Sequence, residues 1–139
     1  MEYRRFENTC IVRLDPGEDI LEQVKAVSLQ EGIQLATVQG LGAVNDITVG
    51  VFDVASKTYH SNHFQGSYEI VSLTGTVSTM NGAFYCHLHM SAGDEQGRVV
   101  GGHLNRAVIS ATGELVITIL PGTVDRAFSQ EIGLNIFKF

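Results

Sequence analysis

Apolar and polar residues alternate with a period of two over much of this 139-residue chain, the pattern of strands that bury one face and wet the other. Phe6, Asn8, Cys10, Val12 and Leu14 alternate with Glu7, Thr9, Ile11 and Arg13, which predicts one strand over 6–14, ended by Asp15-Pro16-Gly17. The period then changes. Ile20, Leu21, Val24, Val27 and Leu29 recur at helical spacing, Asp19 stands where an N-cap is needed, and Gly32 stands where a helix stops. These signals predict a helix from Asp19 to about Glu31, the only one the pattern supports.

The remainder reads as strand. Residues 33–38 are apolar and stop at Gly40-Leu41-Gly42, and Ile47, Val49 and Val51 alternate in the next strand. Residues 57–63 are polar and predict a short hairpin. Residues 68–78 form a long strand with Val71, Leu73 and Val77 among its apolar positions and Ser72, Thr74, Thr76 and Ser78 on a hydroxyl-rich face. Segments 84–91, 99–104 and 108–120 and a terminal segment through Ile136 complete the set. One early helix followed by a series of strands predicts an α+β fold, a single domain over 1–139 with a mostly antiparallel central β-sheet and few flanking helices.

The segment Ala83-Phe84-Tyr85-Cys86-His87-Leu88-His89-Met90-Ser91 carries the chemistry. On a strand, Phe84, Cys86, Leu88 and Met90 share one face, which is wholly apolar and predicts the core side. His87 and His89 fall on the other face, with Tyr85 and Ser91, and so are not core histidines. Residues two apart on a strand are about 6.7 Å apart, and long side chains can converge from there to the roughly 3.4 Å between two nitrogens on one tetrahedral metal. Gly101-Gly102-His103 offers a third imidazole where paired glycines let the backbone approach closely. Three neutral imidazoles suit zinc, and also iron, nickel or copper. Three ligands with a position left open is the arrangement of a catalytic zinc. His60 and His63 flank a polar loop and are expected to be exposed, and Cys86 is expected to be a small core hydrophobe.

Composition narrows the function classes. A hydrophobic fraction of 44% provides a core. No run of about 18 apolar residues exists, so no membrane span is expected. The first residues lack the apolar stretch of a signal peptide, and the two cysteines, Cys10 and Cys86, are expected to be free thiols in the cytoplasm. The net charge is −6 and the nine Lys and Arg are dispersed, which argues against nucleic acid binding by the chain on its own, since such affinity rests on clustered cations.

Taken together, Gly66-Ser67-Tyr68-Glu69-Ile70-Val71-Ser72-Leu73-Thr74-Gly75, His87-Leu88-His89-Met90-Ser91 and Gly101-Gly102-His103-Leu104 resemble the core of the plant- and prokaryote-conserved (PPC, or DUF296) domain family. The resemblance implies a compact domain with a central antiparallel sheet, assembly as a homotrimer, and a metal, usually zinc, on His87, His89 and His103. Plant members join this domain to an AT-hook and use a Gly-Arg-Phe-Glu-Ile segment for partners. Here the matching residues are Gly66 to Ile70 without the arginine, and no Arg-Gly-Arg-Pro hook occurs. The fold is also similar to acetolactate decarboxylase, in architecture and ligand type alone. Three functions follow from the resemblance: a metal-binding trimer with a small-molecule ligand near the metal, a metal-dependent lyase or hydrolase, or a DNA-binding regulator. For the enzyme, Glu69, Asp94, Glu95 and Glu114 are the candidate acids or bases, Glu69 foremost, and Arg98 or Arg106 could hold an anionic substrate.

Overall fold

The computed structural model describes residues 1–139. The elements run β1 (Glu2–Phe6), β2 (Thr9–Leu14), α1 (Ile20–Gln30), β3 (Ala36–Asp53), β4 (Thr58–Met80), β5 (Ala83–Gly93), β6 (Val99–Ile119), β7 (Asp125–Ser129) and β8 (Leu134–Lys138). The first six strands form one antiparallel sheet in the order β1-β2-β6-β3-β4-β5. β6 also pairs with β5, so β3, β4, β5 and β6 close on themselves. β7 and β8 form a separate hairpin. The α+β class, the antiparallel sheet and the lone helix are those expected from the sequence. No helix is long and apolar enough to cross a membrane.

The helix forms where its signals stand. The Asp19 carboxylate accepts the Glu22 backbone N–H at 3.1 Å, and its second oxygen accepts the Ala107 N–H of β6 at 3.0 Å. One side chain thus caps α1 and ties it to the sheet. Ile20, Val24 and Val27 are fully buried, but Leu29 is exposed, against expectation. Positions 20, 24, 27 and 28 face the sheet, and one further residue turns the side chain about 100° away.

Strand boundaries differ more. The run expected as one strand over 6–14 is two, β1 and β2, folded at Glu7, which takes a positive φ of 50°. A two-residue turn preserves the phase of the alternation, so the pattern reads through it. β3 does not stop at Gly40-Leu41-Gly42; it continues with register shifts at that point. In a strand paired on both edges these glycines act as irregularities that let it bend. Segments 57–63 and 68–78 merge into β4, and 99–104 and 108–120 merge into β6. The polar half of β4 is exposed and is held as strand by its ladder to β3, from Thr58 opposite Asp53 to His63 opposite Thr48. The core is one cluster of 23 buried apolar residues inside the closed strands and beneath α1.

The terminal hairpin is moored by Arg126, only 5% exposed. Its Nε donates to Ser78 Oγ (2.9 Å) and its Nη1 donates to the Asn135 carbonyl (3.0 Å). The guanidinium lies between the Tyr85 and Phe137 rings, 4.7 Å and 4.2 Å from their centroids, a stacked geometry favourable to a cation. Phe137 thus packs on Arg126 of its own chain and remains partly exposed.

Candidate metal centre

β5 keeps the predicted faces. Leu88 and Met90 are buried, Phe84 and Cys86 pack half-buried against the core, and His87 and His89 point away. Burial pushes the Cys86 thiol up to about 12, so it is a protonated, inert group at neutral pH. Two cross-strand pairings bring in the third imidazole, for His103 on β6 sits opposite both His89 on β5 and Gly50 on β3. The neighbouring Gly102 makes this approach feasible, because a Cβ there would lie 2.6 Å from the Gly50 carbonyl oxygen. Only a residue without a side chain lets β6 lie so close to β3 at this point.

The ligand atoms of His87, His89 and His103 all lie within 4.8 Å of one another. The Nε2 atoms of His87 and His89 are 3.2 Å apart, close to the roughly 3.4 Å that two nitrogens on one tetrahedral zinc require. The three ring centroids are separated by 5.0–5.6 Å. Three imidazoles aimed at one point, with no carboxylate among them, is a donor set fitted to a divalent transition metal.

Electrostatics favour the ligating form. Burial, then the charges of His103, His89 and Arg126, push His87 down from 6.5 to about 4. Burial, then His89, lowers His103. Both rings are therefore neutral at pH 7, as a metal ligand must be. The same shift has a consequence for the metal-free protein. A histidine held below its ordinary value binds its proton less readily when folded than when unfolded. It leaves stability unchanged above about pH 6.5 and removes stability as the pH falls from there towards about 4. Urea midpoints of the metal-free protein should decline across this window, and His87→Gln should flatten the decline; an unchanged slope in the variant would count against the assignment.

The histidines open onto a cleft of about 820 Å³. Tyr59, whose hydroxyl donates to Asn105 Oδ1, stands edge-on to His103 with ring centroids 6.1 Å apart. Val51, Phe52 and Tyr85 add apolar wall, Phe128 and Leu134 of the terminal hairpin supply more, and Asn135 adds an amide. No carboxylate, lysine or arginine lines the cleft. Glu69 lies outside it, exposed and paired with Gly93 at the far end of the β4–β5 ladder. Glu95 and Glu114 are exposed and also outside, while Asp94 and Arg98 bond each other across a turn at 2.8 Å. Arg106 lies 3.5 Å from Asp46, which also binds His63 at 3.0 Å. His60 and His63 are exposed, as expected, and belong to no metal-binding group. Sequence reasoning missed Tyr59 and Asn105, because only the pairing of β3 with β4 and β6 brings them to the histidines, and the hairpin, because it reaches the cleft through Arg126 and Asn135.

The fold has relatives among known proteins. The chain resembles a solved candidate DNA-binding protein of Bacteroides thetaiotaomicron, with 30% identity, a TM-score of 0.96, and coverage of 99% of this chain and 96% of that one. A structure described as a metal-containing protein of Archaeoglobus fulgidus is 30% identical with a TM-score of 0.87, covering 99% and 97%. The fold likeness to acetolactate decarboxylase of Bacillus subtilis subspecies spizizenii is more distant, at 16% identity and a TM-score of 0.59 over 84% of this chain and 54% of that one. Among curated proteins, bifunctional protein GlmU of a Synechococcus species is 31% identical over 121 residues, 86% of this chain. The chain spans only 18% of that relative's length. The model of the Plants and Prokaryotes Conserved (PCC) domain matches residues 1–121, which leaves the β7–β8 hairpin outside the match. Nearly nine-tenths of the sequence and the whole closed sheet fall within that match, and the chain belongs to the Plants and Prokaryotes Conserved domain family.

Proposed function

We propose that this protein binds one divalent transition metal ion, zinc foremost, on His87, His89 and His103, and admits a small-molecule ligand beside it. The observation that carries the reading is the convergence of three imidazoles within 4.8 Å at a cleft of about 820 Å³. Metal analysis of protein purified without chelators, followed by zinc titration, should give about one ion per chain. Absence of metal together with no uptake of added zinc would sink the reading. Such a metal, when bound, supplies Lewis acidity towards a carbonyl or a water. A lyase or hydrolase on the same centre is the alternative. Tyr59, which lines the cleft with its ring centroid 6.1 Å from that of His103, is the side chain we assign to serve it. The two free cysteines support a cytoplasmic location.

We further propose a homotrimer. Val71, 64% exposed, and Val99 both adjoin Gly93, and together they form apolar surface of the kind that copies cover. Light scattering should give three times the 15.1 kDa chain mass. A monomer at micromolar concentration would refute the assembly and leave the metal reading intact.

A DNA-binding role finds less support. Of the cations, Arg5, Arg13, Arg98 and Arg106 pair with carboxylates and Arg126 is buried. The other four, Arg4, Lys25, Lys57 and Lys138, are exposed but stand on separate segments, β1, α1, the β3–β4 turn and β8, whereas affinity for phosphates rests on clustered cations. Fluorescence anisotropy should show no submicromolar duplex binding at physiological salt, and tight binding with a steep salt dependence would reverse this view.

A further inference from the structure

With a divalent ion on the three histidines, the cleft would carry an unbalanced charge. A divalent ion on three neutral imidazoles keeps both of its positive charges, and the donor set contributes no carboxylate. Arg126 adds a third positive charge beside it. Its Nη2 lies 3.5 Å from Thr76 Oγ1, the residue paired with His87, and its guanidinium covers the ring of Tyr85, which shares a face with His87. The acceptors of this buried cation are two hydroxyls and a backbone carbonyl, all neutral. No acidic side chain lines the cleft. A site of low polarity that concentrates positive charge without a counter-charge is completed by an anion from outside.

The hairpin decides what body that anion carries. Phe128 and Leu134 are 53% and 40% exposed, yet both face the cleft. Asn135 is fixed among them, its carbonyl on Arg126 and its amide 3.5 Å from the Tyr85 hydroxyl. The wall opposite the imidazoles is thus an apolar surface held by the same buried arginine that supplies the charge. It also lies outside residues 1–121, which match the family model.

We infer that the β7–β8 hairpin is the ligand-selecting wall of the cleft, and that its ligand is a small organic monocarboxylate with a flat apolar body, the carboxylate directed to the three-histidine centre and the body against Phe128 and Leu134. The inference rests on the metal reading above. It differs from that reading in naming the charge and shape of the ligand and the residues that choose it.

Full-length protein loaded with cobalt(II) is the test, because the visible bands of the ion report its coordination apart from any activity. Sodium benzoate, sodium acetate and the neutral isostere benzamide are titrated in turn, with calorimetry on the zinc form for affinity. Benzoate should shift the cobalt bands and bind at least about tenfold tighter than acetate, from apolar contact. Benzamide should bind at least about tenfold more weakly than benzoate, from the missing charge. Phe128→Ala and Leu134→Ala change exposed side chains that leave the core intact, and each should reduce the advantage of benzoate over acetate by about threefold or more. Equal affinities for benzoate and acetate, benzamide binding as tightly as benzoate, or an advantage undiminished in both variants would each overturn the inference while metal binding stands. Failure of the protein to take up cobalt, seen before any ligand is added, would overturn the metal reading and this inference with it.

Discussion

Replacing His87 by alanine is expected to weaken zinc binding by more than about 100-fold. A residue that only orients a metal-bound histidine is worth about 10- to 100-fold in affinity, and His87 is placed to be a ligand itself. Its Nε2 faces that of His89 at 3.2 Å, and burial holds it down at about 4. His89→Ala and His103→Ala should show the same loss. The fold should persist, because the core side of β5 is carried by Leu88 and Met90, which the substitution leaves in place. His63→Ala is the control, since His63 is exposed and engaged with Asp46. Competition against a chromogenic chelator measures all four. Zinc affinity in His87→Ala within about threefold of the parent would contradict the three-histidine assignment.

The second large effect is expected at Gly75. This residue lies on β4 opposite Leu88, between the partners of His87 and His89. A Cβ built there would stand 2.8 Å from Leu88 Cα and would also collide with the His87 carbonyl oxygen. These are backbone atoms of the paired strand and cannot rotate aside. Gly75→Ala should therefore push β5 from β4 at the point where the two histidines must converge. A destabilisation of about 3 kcal/mol is expected, at the upper end for overpacking because no rotamer relieves it. Zinc affinity should fall with it. Gly93→Ala on β5 is the matched control, as its Cβ would meet only Val71 Cγ2 at an ordinary 3.6 Å. Thermal and urea unfolding of the pair decide the matter, and equal stability of both variants would show that the strands can part without cost.

The two effects separate what is chemical from what is architectural. Loss of His87 removes a ligand and spares the sheet. A methyl group at Gly75 leaves every ligand present and displaces the strand that aims two of them. If zinc affinity falls in both, while stability falls only in the second, then the site depends on strand spacing as much as on histidines.

The sequence by itself determined the features that depend on near neighbours. The 3.6-residue recurrence with Asp19 before it fixed the helix, because capping and amphipathic spacing act within a few residues. The alternation over 84–91 fixed which side of β5 meets the core, because successive strand side chains must point to opposite faces. That alone set His87 and His89 together on the open face. Tertiary structure decided whatever depends on which strand lies beside which. The β1–β2 turn at Glu7 was hidden by an alternation that passes through it in phase, and β3 runs past Gly40 and Gly42 because partners on both edges hold it. His103 joins the other two only through the closure of β6 on β5. Tyr59, Asn105 and the Arg126-anchored hairpin reach the cleft through contacts between residues some 40 to 50 positions apart in the chain. A period in the sequence states which face a side chain takes, but not what will stand opposite it, since pairing is chosen by the packing of the whole sheet.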